Sequence, residues 1–171
     1  MDIHGVLAAL NLAGVAVFAS SGALAAARRK QDIITFTFFA AVTGMGGGTL
    51  RDVLMDVPVF WVQEPAYVTI CGVSALGTWL LRPGARAFHA LLWMDALGLV
   101  AYAVLGTGKA LAAGLSPTVA VVMGALTATF GGVLRDVLAG EPSILMRREL
   151  YVSAALLSAI LYVVGRELGH P

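Results

Sequence analysis

With 171 residues the chain is one domain by length, and 59% hydrophobic residues, 12% charged residues and a mean hydropathy of +0.88 make it a membrane protein rather than a soluble one. A net charge of +1 without any basic block excludes nucleic acid as a partner. The lone cysteine, Cys71, excludes disulfides within the chain and leaves the compartment open.

The opening "MDIHGV" has no lysine or arginine, which argues against a cleaved signal peptide although "ALAAARR" could mimic a cleavage site, so the first span is expected to stay. Charge-free runs then predict membrane spans from Val6 to Ala27, Ile33 to Leu50, Ala96 to Gly108 (extending back towards Ala87) and Ala110 to Leu134. Ala66 to Leu81 and Leu150 to Gly165 are shorter. At about 1.5 Å per residue they reach roughly 24 Å, and snorkelling Arg82, Arg148 and Arg166 or a thinned bilayer supplies the rest. The expectation is an all-α polytopic membrane protein of six spans, one transmembrane domain over residues 1–171. Basic residues cluster after span one (Arg28, Arg29, Lys30), span three (Arg82, Arg86) and span five (Arg147, Arg148), against Lys109 alone on the other side. That bias puts the N-terminus outside.

The sequence is written twice. An offset of 84 positions lays Gly47–Leu54 on Gly131–Leu138 with seven of eight residues identical. Coincidence at that level is on the order of one in a thousand. The same offset aligns Gly14 with Gly98, Gly22 with Gly106, Thr43 with Thr127, Pro58 with Pro142, Tyr67 with Tyr151, and Asn11 with Asp95. Repeat one covers about 5–83 and repeat two about 87–166. Three spans per repeat is an odd number, so the second repeat enters the bilayer upside down. Inverted repeats of this kind place a binding or permeation site near the midplane where they meet, often on broken helices.

Gly44 and Gly46 to Gly48 in span two, with Gly131 and Gly132 in span five, are positions where those helices can kink or unwind. Carbonyls freed around Thr43 and Gly44 would then have to face protein or a wet path. The alternative is close packing, since Gly44 and Gly48 form a small-xxx-small pattern.

Arg51, Asp52, Arg135 and Asp136 follow the glycines, and ionisable groups at membrane depth are expected to be buried and paired. Neighbours on a helix point about 100° apart, which argues against Arg51 pairing with Asp52. The expected pairs cross the repeats: Arg51 with Asp136, and Arg135 with Asp52. Whether they only clamp the repeats together or also border a path is open.

Asp95, in span four, is in register with Asn11 and suggests a polar pair near the outer end of the repeat interface, or else a helix-start cap. Lys109 is either an ordinary loop lysine or a charge guarding an entrance. Glu149, in "RRELY", either neutralises Arg147 or Arg148, or holds Tyr151 and the span-five break. Enzyme chemistry finds no support: His4, His89 and His170 are scattered, no metal-ligand cluster exists, and Gly44-x-Gly46 lacks both a third glycine and a preceding strand.

The doubled "GG-x-LRDVL" together with "DALGLVAYAVLGTGKAL", "AVVMGALTATFGGVLRDVL" and "RRELY" resembles the prokaryotic members of the trimeric intracellular cation (TRIC) channel family, which also goes under a glycine-transporter domain label. The resemblance runs from roughly Leu7 to Gly165. It implies a homotrimer with a pore in each protomer that passes monovalent cations, chiefly potassium, with sodium also permeant. The implied pore is bounded by spans two and five and kinked at the glycines, with Thr43, Gly44, Gly46, Gly47, Gly48, Thr49, Thr127, Gly131 and Gly132 as its residues. Arg51, Asp52, Arg135, Asp136, Asp95, Glu149 and Tyr151 form the implied polar network, and Lys109 matches the family's gating lysine.

No cofactor is implied beyond permeant potassium or sodium and bound lipid. Partners are further copies of the chain and membrane lipids, and the implied location is the prokaryotic plasma (inner) membrane. Family members have a seventh span beyond those read here. The competing function is a secondary transporter of a small zwitterion such as glycine, since both use inverted repeats; a purely structural scaffold leaves the repeated glycines unexplained.

Overall fold

Among the described residues, six long helices carry the apolar runs: α1 (Ile3–Arg28), α2 (Ile33–Leu54), α4 (Ala66–Leu81), α5 (Ala87–Ala112), α6 (Pro117–Ala139) and α7 (Tyr151–Glu167). A single turn, α3 (Phe60–Gln63), lies between α2 and α4. These elements belong to a computed structural model that describes residues 3–29, 31–81, 87–142 and 151–169, and among them no strand occurs. Among the described residues, four stretches are long and apolar enough to cross a membrane: Ala8–Arg28, Ile33–Leu54, Asp95–Ala112 and Pro117–Ala139. At 16 residues, α4 is a shorter apolar helix.

Local chemistry sets the helix ends. The Asp32 carboxylate accepts the Thr35 amide at 2.8 Å and starts α2, while Ser116 and Pro117 start α6. Gly140, at φ 65°, stops α6 in a left-handed turn in which the Gly140 and Glu141 amides return to the Val137 and Asp136 carbonyls. At the same place in repeat one stands Asp56, at φ 53°, with the matching bonds from Asp56 to Val53 and from Val57 to Asp52. The fifth span does not begin at Ala110 as expected. Charge-free length is blind to the turn at Gly114 (φ 83°), so α5 keeps Lys109 and Ala110 in its last turn and α6 begins at Pro117.

Packing follows the duplication. α1 lies against α2 and α4 as α5 lies against α6 and α7, and the halves meet where α2 crosses α6 and α1 crosses α5. Lipid gives helices no hydrophobic reason to associate, so small residues that allow close contact do much of the holding. The α2–α6 crossing is symmetric and backbone-tight. A Cβ added at Gly47 would strike the Thr127 carbonyl oxygen, and one at Gly131 would strike the Thr43 carbonyl oxygen.

That geometry corrects the expected helix breaks. α2 and α6 run as continuous helices through both glycine clusters, so no unwound segment frees the Thr43 or Gly44 carbonyls. The glycines serve the close-packing alternative: Gly44 faces Ala19 and Val15 on α1, Gly46 faces Leu134 on α6, and Gly48 lies under the Phe60 ring. Gly132 is buried on α6.

Candidate functional site: two ionic clusters and a cavity

Each Arg-Asp motif is the centre of its own buried cluster. At the C-terminal end of α2, Asp52 is fully buried and accepts from Arg51 Nε at 2.8 Å and Nη2 at 2.7 Å, and from Lys109 Nζ at 2.9 Å on both oxygens. The Phe60 amide adds a fifth bond at 3.1 Å, so the carboxylate also ties down α3. Phe60 in turn meets Tyr67 edge to face at 4.7 Å. Nearby, Trp61 Nε1 donates to the Thr49 hydroxyl at 2.9 Å, and Thr49 donates to the Met45 carbonyl at 2.7 Å. The linker between α2 and α4 is therefore anchored at two points on α2.

The second cluster is at the C-terminal end of α6. Arg135 donates through Nε and Nη2 to Asp136 at 2.9 and 2.8 Å, and through Nη1 to both Asp95 and Ser21. Ser21 donates to the other Asp95 oxygen at 2.7 Å. Ser21 and Asp95 have no exposed surface, and the Arg135 side chain is 2% exposed, so water does not reach the triad. Lys109, by contrast, is 37% exposed.

A cavity of about 550 Å³ opens onto the first cluster. Both repeats line it, with Arg51 and Tyr67 from the first and Tyr102, Lys109, Tyr162 and Arg166 from the second. Asn11 also borders it, and its backbone carbonyl accepts the Tyr102 hydroxyl at 3.2 Å. α2 contributes Gly48 and Arg51 to the wall, whereas the wall has no residue from α6.

Several expectations change here. The cross-repeat pairs do not form: Arg51 closes on Asp52, and Arg135 on Asp136. An arginine side chain is long enough to fold back over a neighbour 100° away, and each aspartate has lone pairs left for a second partner. Asp95 does not pair with Asn11 near the outer end, nor does it cap α5, which starts at Ala87. Equivalent positions in inverted repeats fall at opposite ends, so Asp95 reaches Arg135 while Asn11 lies by the Arg51 cavity. Lys109 is a helix residue, not a loop lysine. Among the described residues the buried Thr43 hydroxyl has no hydrogen-bond partner and faces Gly22, whereas Thr127 bonds the Met123 carbonyl at 2.6 Å. Glu149 lies outside the described residues, as does the Tyr151 side chain.

Sequence reasoning missed Ser21, Phe60 and the cavity tyrosines Tyr102 and Tyr162. A serine within "ASSGALAAA" was a visible polar signal in an alanine-rich span. The repeat alignment could not single it out, because its counterpart is Leu105.

Comparisons with known proteins give one picture. A family model described as "Glycine transporter" matches residues 8–83 and again 92–167, one match per repeat. A UPF0126 membrane protein of Vibrio cholerae is 37% identical over 94% of this chain and 69% of its own length. The UPF0126 inner membrane protein YadS of Escherichia coli is 37% identical over 91% of this chain and 77% of its own. Among solved structures, a TRIC trimeric intracellular cation channel orthologue from Rhodobacter sphaeroides superposes with a TM-score of 0.93 at 46% identity, covering 97% of this chain and 87% of that one. A prokaryotic TRIC channel solved in 0.5 M KCl has a TM-score of 0.90 at 28% identity, covering 98% and 88%.

Proposed function

Because the chain belongs to the prokaryotic TRIC family, to which the glycine-transporter label also applies, we propose that it is a potassium-permeable monovalent cation channel with one pore in each protomer of a homotrimer. Its membrane is the prokaryotic inner membrane, with the N-terminus outside. The observation that carries the reading is the cavity between the repeats that ends on the Asp52–Lys109 bridge. A carboxylate is the natural partner of a permeating cation, and here the Lys109 ammonium stands on both of its oxygens. In the proposed mechanism Lys109 holds the closed state by occupying Asp52. When the ammonium moves away, Asp52 keeps Arg51 on one oxygen and the Phe60 amide on the other, and offers an incoming ion the lone pair that Lys109 leaves on each. The tight α2–α6 crossing is then the closed waist beside that route.

The test is single-channel recording of purified protein in a planar bilayer under a potassium chloride gradient. Unitary currents reversing towards the potassium potential, with open probability raised several-fold by Lys109→Gln, are expected. Saturable glycine counterflow without unitary currents would overturn the channel in favour of the carrier. A carrier would use the cationic cavity for a carboxylate.

A further inference from the structure

Both clusters draw their charged outside partner from one helix. Lys109 and Asp95 lie on α5, 14 residues apart, or about 21 Å along its axis at 1.5 Å per residue. Their counterparts on α1 at the 84-residue offset are Ala25 and Asn11, so α1 supplies no matching charge to either motif. α5 is also gripped closely along its length. A Cβ at Gly98 would come within 2.9 Å of the Phe18 ring, and one at Gly106 within 2.7 Å of the Thr127 hydroxyl. Tyr102, between them, meets Phe18 edge to face at 5.2 Å. Such a helix moves as one body more readily than it bends.

We infer that the Ser21–Asp95–Arg135 triad is a second barrier of the conduction route, latched to the Asp52–Lys109 bridge through α5, so that both open together. This rests on the channel reading above. A displacement of α5 that draws Lys109 off Asp52 also draws Asp95 off Arg135, because the two bridge partners, Asp52 on α2 and Arg135 on α6, belong to other helices. Asp95 and Ser21 are thus positioning residues that hold the Arg135 guanidinium across the dry end.

The chain has two lysines, Lys30 and Lys109, which makes the latch measurable without added probes. Asp95→Asn keeps the side-chain shape and removes the charge facing Arg135. In reconstituted protein, amine labelling of Lys109 by a water-soluble acylating reagent is followed by mass spectrometry, with Lys30 as internal reference. The latch predicts that Asp95→Asn speeds Lys109 labelling at least fivefold relative to Lys30. An unchanged ratio in folded protein overturns it.

The reciprocal experiment decides the matter if Asp95→Asn does not fold. Ser21→Cys in a Cys71→Ser background reacts with a small cationic methanethiosulfonate. Adding Lys109→Gln should raise that rate at least tenfold, and an unchanged rate refutes the latch. Neither readout requires conduction, so loss of the channel reading would show as absent currents while the labelling still reports on the latch.

Discussion

A methyl group at the α2–α6 crossing tests whether the glycines exist for contact. In Gly131→Ala the new Cβ overlaps the Thr43 carbonyl oxygen, which is backbone and cannot rotate away, so the two helices must part. Overpacking a close-packed site costs about 1–3 kcal/mol, and backbone against backbone belongs at the upper end, about 3. Alanine regains about 1 kcal/mol of helix propensity over glycine, leaving a net loss of about 2 kcal/mol. For a chain of this length that corresponds to a Tm lower by about 4–8 °C. Gly72→Ala is the control: it also lies inside a helix but meets nothing within 4 Å, so propensity alone should act and raise Tm by about 2–4 °C. Thermal unfolding in one detergent, followed by tryptophan fluorescence, compares the two. If Gly131→Ala melts with or above the parent while Gly72→Ala gains as expected, the crossing does not depend on close approach and the packing argument fails.

Four further outcomes follow from the same geometry. Asp52→Asn leaves Arg51 as a buried cation without its carboxylate and should lower stability by about 3–5 kcal/mol, whereas Lys109→Gln, whose side chain is partly in water, should cost about 1 kcal/mol or less; thermal unfolding separates them. Asp56→Gly should raise stability by about 0.5–1 kcal/mol, because repeat two already uses Gly140 for the same left-handed turn; no gain in a denaturation midpoint would refute strain at Asp56. Glu141→Gln cuts the exposed bridges to Arg28 and Arg29 and should shift stability by less than about 1 kcal/mol. The Thr35 amide holds the Asp32 carboxylate below the ordinary 3.8, so its capping contribution is present above that value and lost as pH falls through the lowered one. Amide exchange at Thr35, corrected for intrinsic rate, should rise over that acid range and stay flat in Asp32→Asn; a parent profile that is also flat would contradict the cap.

Periodic apolar length and the repeat offset made the helices legible, because crossing a bilayer leaves a chain few other options. Ala66–Leu81 was readable to the residue, since a charge-free run there is set off by Glu64 and Pro65 on one side and Arg82 on the other. The α5–α6 turn was not, because hydropathy does not register the conformational signal of Gly114 or the Ser116–Pro117 start. Burial of Arg51, Asp52, Arg135 and Asp136 was foreseeable from the cost of charge in lipid. Their partners were not foreseeable. Helical angle describes where a Cβ points, and an arginine guanidinium is several bonds beyond its Cβ. The role of the glycines turned on a distance that sequence does not carry: Gly47 and Gly131 read as hinges from their place beside charges in both repeats, whereas each lies against a carbonyl of the opposing helix.

The duplication gave both halves the same motif, and divergence outside the motif gave the two ends different work. Asp52 is bridged by a lysine that water can reach, so the loss of that contact is cushioned by hydration. Arg135 is bridged by Asp95 and Ser21 where no water arrives, and parting a buried pair costs about 3–5 kcal/mol. If one helix carries both partners, the energy of opening is set mainly at the dry end, although the visible ammonium is at the wet one. Substitutions at Asp95 should then move the closed-to-open equilibrium further than substitutions at Lys109. The reverse order, in the same bilayer recordings, would mean that Lys109 swings on its own stem while α5 stays still.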